Sequence, residues 1–238
     1  GTDLSDTPVW KLSSSHIDNP GFRIKYNPVV SSKNGCRLNT EVYGGVIYST
    51  WLDRPLSIAG RIALKNPQSA HPRLKLVDFK RPVAVLPNLA IHLNRAMNDG
   101  VALNAQTDLL PICGMDEHMD TDTFLQILAN ETGEKPEDIL CFDLSVYHYA
   151  EPVRTGFSGD MCLTGLIEAN PSDGISVAVL FDHEEIGSRS KNGANGNLLS
   201  YTLERICNAI NISRENFLQS LVHSYYLSLD VAHAIHPA

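Results

Sequence analysis

Glu184 and Glu185 stand side by side in Phe181-Asp182-His183-Glu184-Glu185-Ile186-Gly187-Ser188, directly after the alternating apolar residues Ile175, Val177 and Val179. The alternation predicts a half-buried strand over Ile175–Phe181. Ionised carboxylates at the end of a buried strand are costly unless a cation or a hydrogen-bond network compensates. Neighbouring side chains in a strand or its exit turn point in different directions. One Glu can then hold a metal while the other faces a metal-activated water, which gives the ligand and the general base that a metallohydrolase needs. The plain alternative is an exposed Glu pair in a turn. A second polar residue, Asp230, ends the apolar run Tyr226 to Leu229, and His233 and His236 follow within six residues. Asp, Glu and neutral His are donors that Zn²⁺ or Mn²⁺ accepts; the alternative is a capping Asp and two surface histidines. A third candidate is His16-Ile17-Asp18, where an extended backbone puts both side chains on one face. One can bind a metal while the other orients a ligand.

The elements that position these residues alternate between strand and helix. Phe22, Ile24 and Tyr26 alternate as a strand, and the segments 56–64 and 83–86 also read as strands. Thr121 or Asp122 is expected to cap a helix carrying Phe124, Ile127 and Leu128, with Gly133 at its end. Pro136-Glu137-Asp138 starts a short helix. Beyond residue 153 the pattern predicts a helix near Met161 to Ala169, the strand before Glu184, a helix near Asn197 to Ile210 and a strand over Tyr226 to Leu229. This is an α/β chain, a mixed sheet flanked by helices.

The chain has 238 residues, 43% of them hydrophobic, and a net charge of −8. The acidic balance without a basic run argues against a nucleic-acid partner. No apolar stretch approaches the roughly 18 residues of a membrane helix. Cys36, Cys113, Cys141, Cys162 and Cys207 are scattered, odd in number and without a Cys-x-x-Cys pair. That predicts a reducing compartment and no structural disulfide.

In chain order, His-x-Asp, Glu-Glu-x-Gly-Ser and Asp-x-Ala-His-x-x-His-Pro resemble the aspartyl aminopeptidase family, the group of yeast vacuolar aminopeptidase I. Further resemblance lies in Glu41-Val42-Tyr43-Gly44-Gly45, Ser49-Thr50-Trp51-Leu52-Asp53-Arg54, Arg81-Pro82, Leu86-Pro87 and Leu89-Ala90-Ile91-His92-Leu93. The resemblance implies a zinc-exopeptidase-like catalytic domain, discontinuous and incomplete, from 1–28 and 151–238. An inserted, mainly β dimerisation or oligomerisation domain is implied at 29–150. The implied activity is removal of N-terminal residues, acidic by expectation, from peptides with a free N-terminus. Two zinc ions per subunit are implied, with Mn or Co as substitutes, along with a homo-oligomer built from dimers into a dodecamer. The implied location is cytoplasmic, or a vacuolar or lysosomal-type compartment.

By the same resemblance Glu184 is the general base. Glu185, Asp230 and His16 are metal ligands, and Asp18 holds a ligand in orientation. His233 contacts substrate, and His92 reaches a neighbouring subunit's active site; His236 reads as a surface residue. Two departures stand out. The family's metal-bridging Asp belongs near Thr155-Gly156-Phe157-Ser158-Gly159-Asp160, where this chain is shortened. Either residues are absent here, or Asp160 takes the bridging role through a shifted turn, or the second metal is lost. His183 stands where Asn is common and is expected to face outward. The family's last metal histidine is expected beyond residue 238, so the chain reads as partial. A metal-deficient homologue with a structural role, and a related di-zinc deacylase or carboxypeptidase, are the alternatives.

Overall fold

A computed structural model describes residues 7–115, 118–151 and 174–230. In chain order the strands are β1 (Trp10–His16), β2 (Gly21–Ser32), β3 (Gly35–Tyr43), β4 (Pro55–Leu64), β5 (Arg73–Asp78), β6 (Ala84–Val85), β7 (Ile112–Gly114), β8 (Ile139–His148), β9 (Ile175–Phe181) and β10 (Tyr225–Ser228). The helices are α1 (Thr121–Thr132), α2 (Leu198–Ala209) and α3 (Arg214–Val222). The chain forms two compact units, Gly1–Asn19 with Arg154–Ala238, and Pro20–Val153.

In the first unit β1 lies between β10 and β9, and both pairings are parallel. Trp10, Leu12 and Ser14 alternate as the buried face of β1, in register with Ile175, Val177 and Val179 of β9. Parallel neighbours need a crossover connection, and α2 and α3 supply it between β9 and β10. Leu203 and Cys207 of α2 and Phe217 of α3 pack with Ile212 against Trp10 and Leu12. Trp10 is completely buried, and its indole N–H donates to Ser220 Oγ at 2.9 Å. The α/β class expected from the alternating pattern is what the chain adopts. The α3 helix was not anticipated, although Ser213 caps it by accepting from Asn216 N–H. The helix expected near Met161 to Ala169 lies outside the described residues.

The second unit is mainly β, with wholly antiparallel ladders between its named strands. Its strands run β5-β4-β6-β7-β3-β2-β8, and β8 pairs again with β4. The ladder from β4 round to β8 therefore closes on itself, and β5 is appended along β4. Closure removes edges that would otherwise expose unpaired backbone groups. Phe124 and Leu128 on one face of α1 join Phe22, Leu38, Leu56, Ile62 and Leu86 in the core. The cap of α1 is Asp120, not Thr121 or Asp122: its carboxylate accepts Thr123 N–H at 2.8 Å. Gly133 closes the helix in the left-handed conformation, φ 67°.

Candidate metal centre

The first unit gathers its candidate residues at one end of its parallel sheet. His16 is the last residue of β1, Glu184 and Glu185 follow β9, and Asp230 follows β10. In open α/β sheets this carboxyl end of the strands is where ligands bind. The register extends past the strands, with Ile17 N–H donating to Phe181 O at 3.0 Å and Leu229 N–H to Ser14 O at 2.8 Å. The three strand ends are thereby fixed against one another.

Glu184 and Glu185 occupy a 3-10 turn rather than the strand itself. The chain leaves Phe181, and His183 adopts the left-handed conformation with φ 62°. Gly187, φ 94°, ends the turn by donating its N–H to Glu184 O at 2.9 Å. Asp18 holds this turn in place. Its side chain is only 7% exposed, and its two carboxylate oxygens accept the N–H of Glu184 and of Glu185, each at 3.1 Å. His16 Nδ1 lies 3.2 Å from Asp18 Oδ1 and 3.0 Å from Asp18 O. A buried carboxylate needs such partners. The expectation of a buried Glu pair is corrected here, since the Glu184 side chain is 48% exposed and the buried acid is Asp18.

The other nitrogen of His16 faces the acids. Nε2 lies 3.9 Å from Glu184 Oε2 and 3.6 Å from Asp230 Oδ1. Donor atoms of His16, Glu184 and Glu185 all lie within 4.8 Å of one another. Burial by itself pulls the His16 imidazole down. The hydrogen bonds to the Asp18 backbone and carboxylate, with the Glu184 and Asp18 charges, outweigh it and leave the pKa above the ordinary 6.5. One imidazole nitrogen and several carboxylate oxygens around one point make a donor set suited to Zn²⁺ or Mn²⁺. The Asp18 contact to Nδ1 leaves Nε2 as the nitrogen that could ligate a metal, with the carboxylate orienting the ring behind it.

His183 does not face outward as expected. Its Nδ1 lies 2.5 Å from Ser190 Oγ and its Nε2 3.4 Å from Asp182 Oδ2, and the ring is 18% exposed. Ser190 lies in the loop that follows the Glu184–Glu185 turn. Asn, Asp and His enter the left-handed region more readily than other non-glycine residues. His92 belongs to the second unit, in a turn, and is exposed. Asp160, His233 and His236 lie outside the described residues.

The sequence profile described as "Aminopeptidase I zinc metalloprotease (M18)" matches residues 6–165 and 160–238. The chain belongs to the M18 family. The two M18 matches overlap over residues 160–165. The probable M18 family aminopeptidase 2 of Clostridium novyi (strain NT) is 42% identical over 245 residues, covering 96% of this chain and 57% of the relative. Thus the chain spans little more than half the length of that M18 relative. Among solved structures, Chaetomium thermophilum mApe1 superposes with a TM-score of 0.82 at 27% identity, covering 100% of this chain and 61% of that one. The S. cerevisiae mApe1 dodecamer superposes at 0.73 with 22% identity, a likeness of fold that covers 99% of this chain and 57% of that one.

Proposed function

We propose that this chain belongs to a zinc-dependent aminopeptidase that removes N-terminal residues, acidic ones by preference, from peptides with a free N-terminus. What supports the reading is the convergence of His16, Glu184, Glu185 and Asp230 at the ends of three adjacent parallel strands. His16 Nε2, Glu185 and Asp230 would hold the metal, with Asp160 as the proposed bridging ligand of a two-zinc centre. When bound, zinc supplies Lewis acidity and lowers the pKa of water to near neutrality. Glu184 is the general base, taking the proton of the attacking water and passing it to the leaving amine. Asp18 positions the base and its neighbour through their backbone N–H groups, and it holds His16 in the tautomer that presents Nε2. His233 contacts the substrate.

The test separates base from ligand. Glu184→Gln keeps zinc and lowers kcat by about 10²–10⁴. Glu185→Ala loses zinc itself, because a coordinating oxygen is gone. Zinc stoichiometry and turnover of Asp- and Glu-aminoacyl peptides are measured together, and full activity in Glu184→Gln would sink the assignment. We further propose a homo-oligomer in which His92 serves a neighbouring subunit's site. Mixed oligomers of His92→Ala and Glu184→Gln subunits then regain activity that neither has alone. No recovery on mixing would exclude action between subunits.

A further inference from the structure

The second unit contains a cluster of sulfur atoms that the zinc site does not use. Cys36 on β3 is completely buried. Its Sγ lies 3.5 Å from Cys113 Sγ on β7 and 3.3 Å from Met119 Sδ. The backbone brings these atoms together. Cys36 pairs with Gly114 and Arg37 with Ile112, and the register shift between the two pairs sets Cys113 beside Cys36. The strands approach closely at Gly35, φ 112°, where a Cβ would sit 2.5 Å from Gly114 O. Met119 is tied down independently, because its carbonyl accepts the Ser31 hydroxyl of β2. Cys113 and Met119 also line a cavity of about 350 Å³, walled by Leu38, Val83, Phe124 and Ile127.

We propose that Cys36, Cys113 and Met119 form a binding site for a soft closed-shell cation of the Cu(I) class. Two thiols and a thioether select Cu(I), whereas the imidazole and carboxylates of the other unit suit zinc or manganese. Metal–sulfur bonds of about 2.3 Å in a trigonal arrangement separate the sulfurs by about 4 Å. The two contacts of Cys36 therefore have to open by roughly 0.5 to 0.7 Å, and the adjoining cavity provides the room and a path of entry. Binding exchanges one proton, released to solvent, for each thiolate formed. Copper enters and remains as Cu(I), so no electron is transferred.

A disulfide is the competing fate of two thiols in contact. Its formation starts from a thiolate. Burial, and then the neighbouring Cys36 thiol, push Cys113 up to about 12. The Cys113 thiol, so raised, stays protonated until a cation displaces its proton, which disfavours the disulfide and leaves metal binding open.

The test uses the reduced protein under anaerobic conditions, offered Cu(I) as its bicinchoninate complex. One Cu(I) per chain is expected to transfer to the protein, with a thiolate-to-copper charge-transfer band appearing in the ultraviolet. Cys113→Ala abolishes the transfer. Met119→Leu keeps the volume but lacks the donor. Loss of groups that merely support a metal site weakens affinity about 10–100-fold, so loss of this thioether weakens it by at least about tenfold. Cys141→Ser, on an exposed residue, leaves the transfer unchanged. Circular dichroism shows whether each variant is folded, and Cys113→Ser replaces Cys113→Ala if the latter is not. Failure of the wild-type protein to take copper from the chelator overturns the proposal. So does wild-type affinity in both folded Cys113 and Met119 variants. The zinc reading is untouched by either result, because its residues lie in the other unit.

Discussion

Asp18 takes three polar contacts into a nearly buried carboxylate: the N–H groups of Glu184 and Glu185, and His16 Nδ1. Removing it leaves two backbone donors without their acceptor, and His16 Nδ1 keeps only the Asp18 backbone carbonyl. Asp18→Ala is therefore expected to destabilise the protein by about 1–3 kcal/mol, the cost of unsatisfied buried groups. Metal affinity should fall about 10–100-fold with it. Urea unfolding and zinc titration measure the two effects, and a variant with wild-type values in both would remove Asp18 from its positioning role. His183 makes a different prediction. Its left-handed backbone costs an ordinary residue about 1–2 kcal/mol, and its ring contacts Ser190 Oγ. His183→Asn keeps the tolerated backbone and loses only the ring contacts, to Ser190 Oγ and Asp182 Oδ2, about 0.5–1.5 kcal/mol. His183→Val loses both and should unfold at clearly lower urea; equal midpoints for the two would show that the left-handed turn carries no strain. The residue types at this site were legible in the sequence, because His, Asp and Glu carry their donor chemistry wherever they stand. The clasp of Asp18 on Glu184 and Glu185 was not, because its partners are 166 and 167 residues apart and no local pattern records the pairing.

Among the elements, α1 is pinned to β5 just past its C-terminal end. Arg73 Nη2 lies 2.9 Å from Glu134 Oε2, Arg73 Nη1 3.1 Å from Oε1, and Lys75 Nζ 2.8 Å from Oε1. Hydrogen bonds from Arg73 and Lys75 hold the Glu134 carboxyl down from 4.5 to about 2. A folded-state pKa below the unfolded one stabilises above the unfolded value. The contribution of Glu134 is therefore present above pH 4.5 and disappears as the pH falls toward 2. Glu134→Gln should flatten the dependence of unfolding midpoint on pH across that interval, and an unchanged slope would place the acid sensitivity elsewhere. Elements with strong periodicity were read well. β9 alternates because one face packs on the core and the other does not, so Ile175, Val177 and Val179 mark it without tertiary knowledge. The nine-residue α3 escaped notice because it buries only Phe217 and Ser220, too few to impose a visible period.

At the scale of the molecule, each unit has a core of its own, and each holds one tryptophan. Trp10 is sealed beneath α2 and α3, whereas Trp51 packs edge-on to Phe22 with ring centroids 4.9 Å apart. A metal bound only to the folded state stabilises the unit that binds it, by about 2.7 kcal/mol at one hundred times the dissociation constant. With zinc held in the first unit, chelation should lower the thermal midpoint reported by Trp10 and leave that reported by Trp51 nearly unchanged. Single-tryptophan variants, Trp51→Phe and Trp10→Phe, separate the two signals. A shift confined to Trp51 would place the metal in the wrong unit.

The sequence by itself determined the α/β class, the strand that delivers Glu184 and Glu185, and the family pattern of acids and histidines. Those features rest on side-chain chemistry and on short periods, which a linear chain displays. Tertiary structure alone decided that β1 sits between β9 and β10, which carries His16 to the acids from the middle of the sheet. It also decided that the second unit's ladder closes through β4 and β8, and that Cys36, Cys113 and Met119 meet. These are pairings between segments tens to hundreds of residues apart, chosen by register and packing, which no local stretch of sequence encodes.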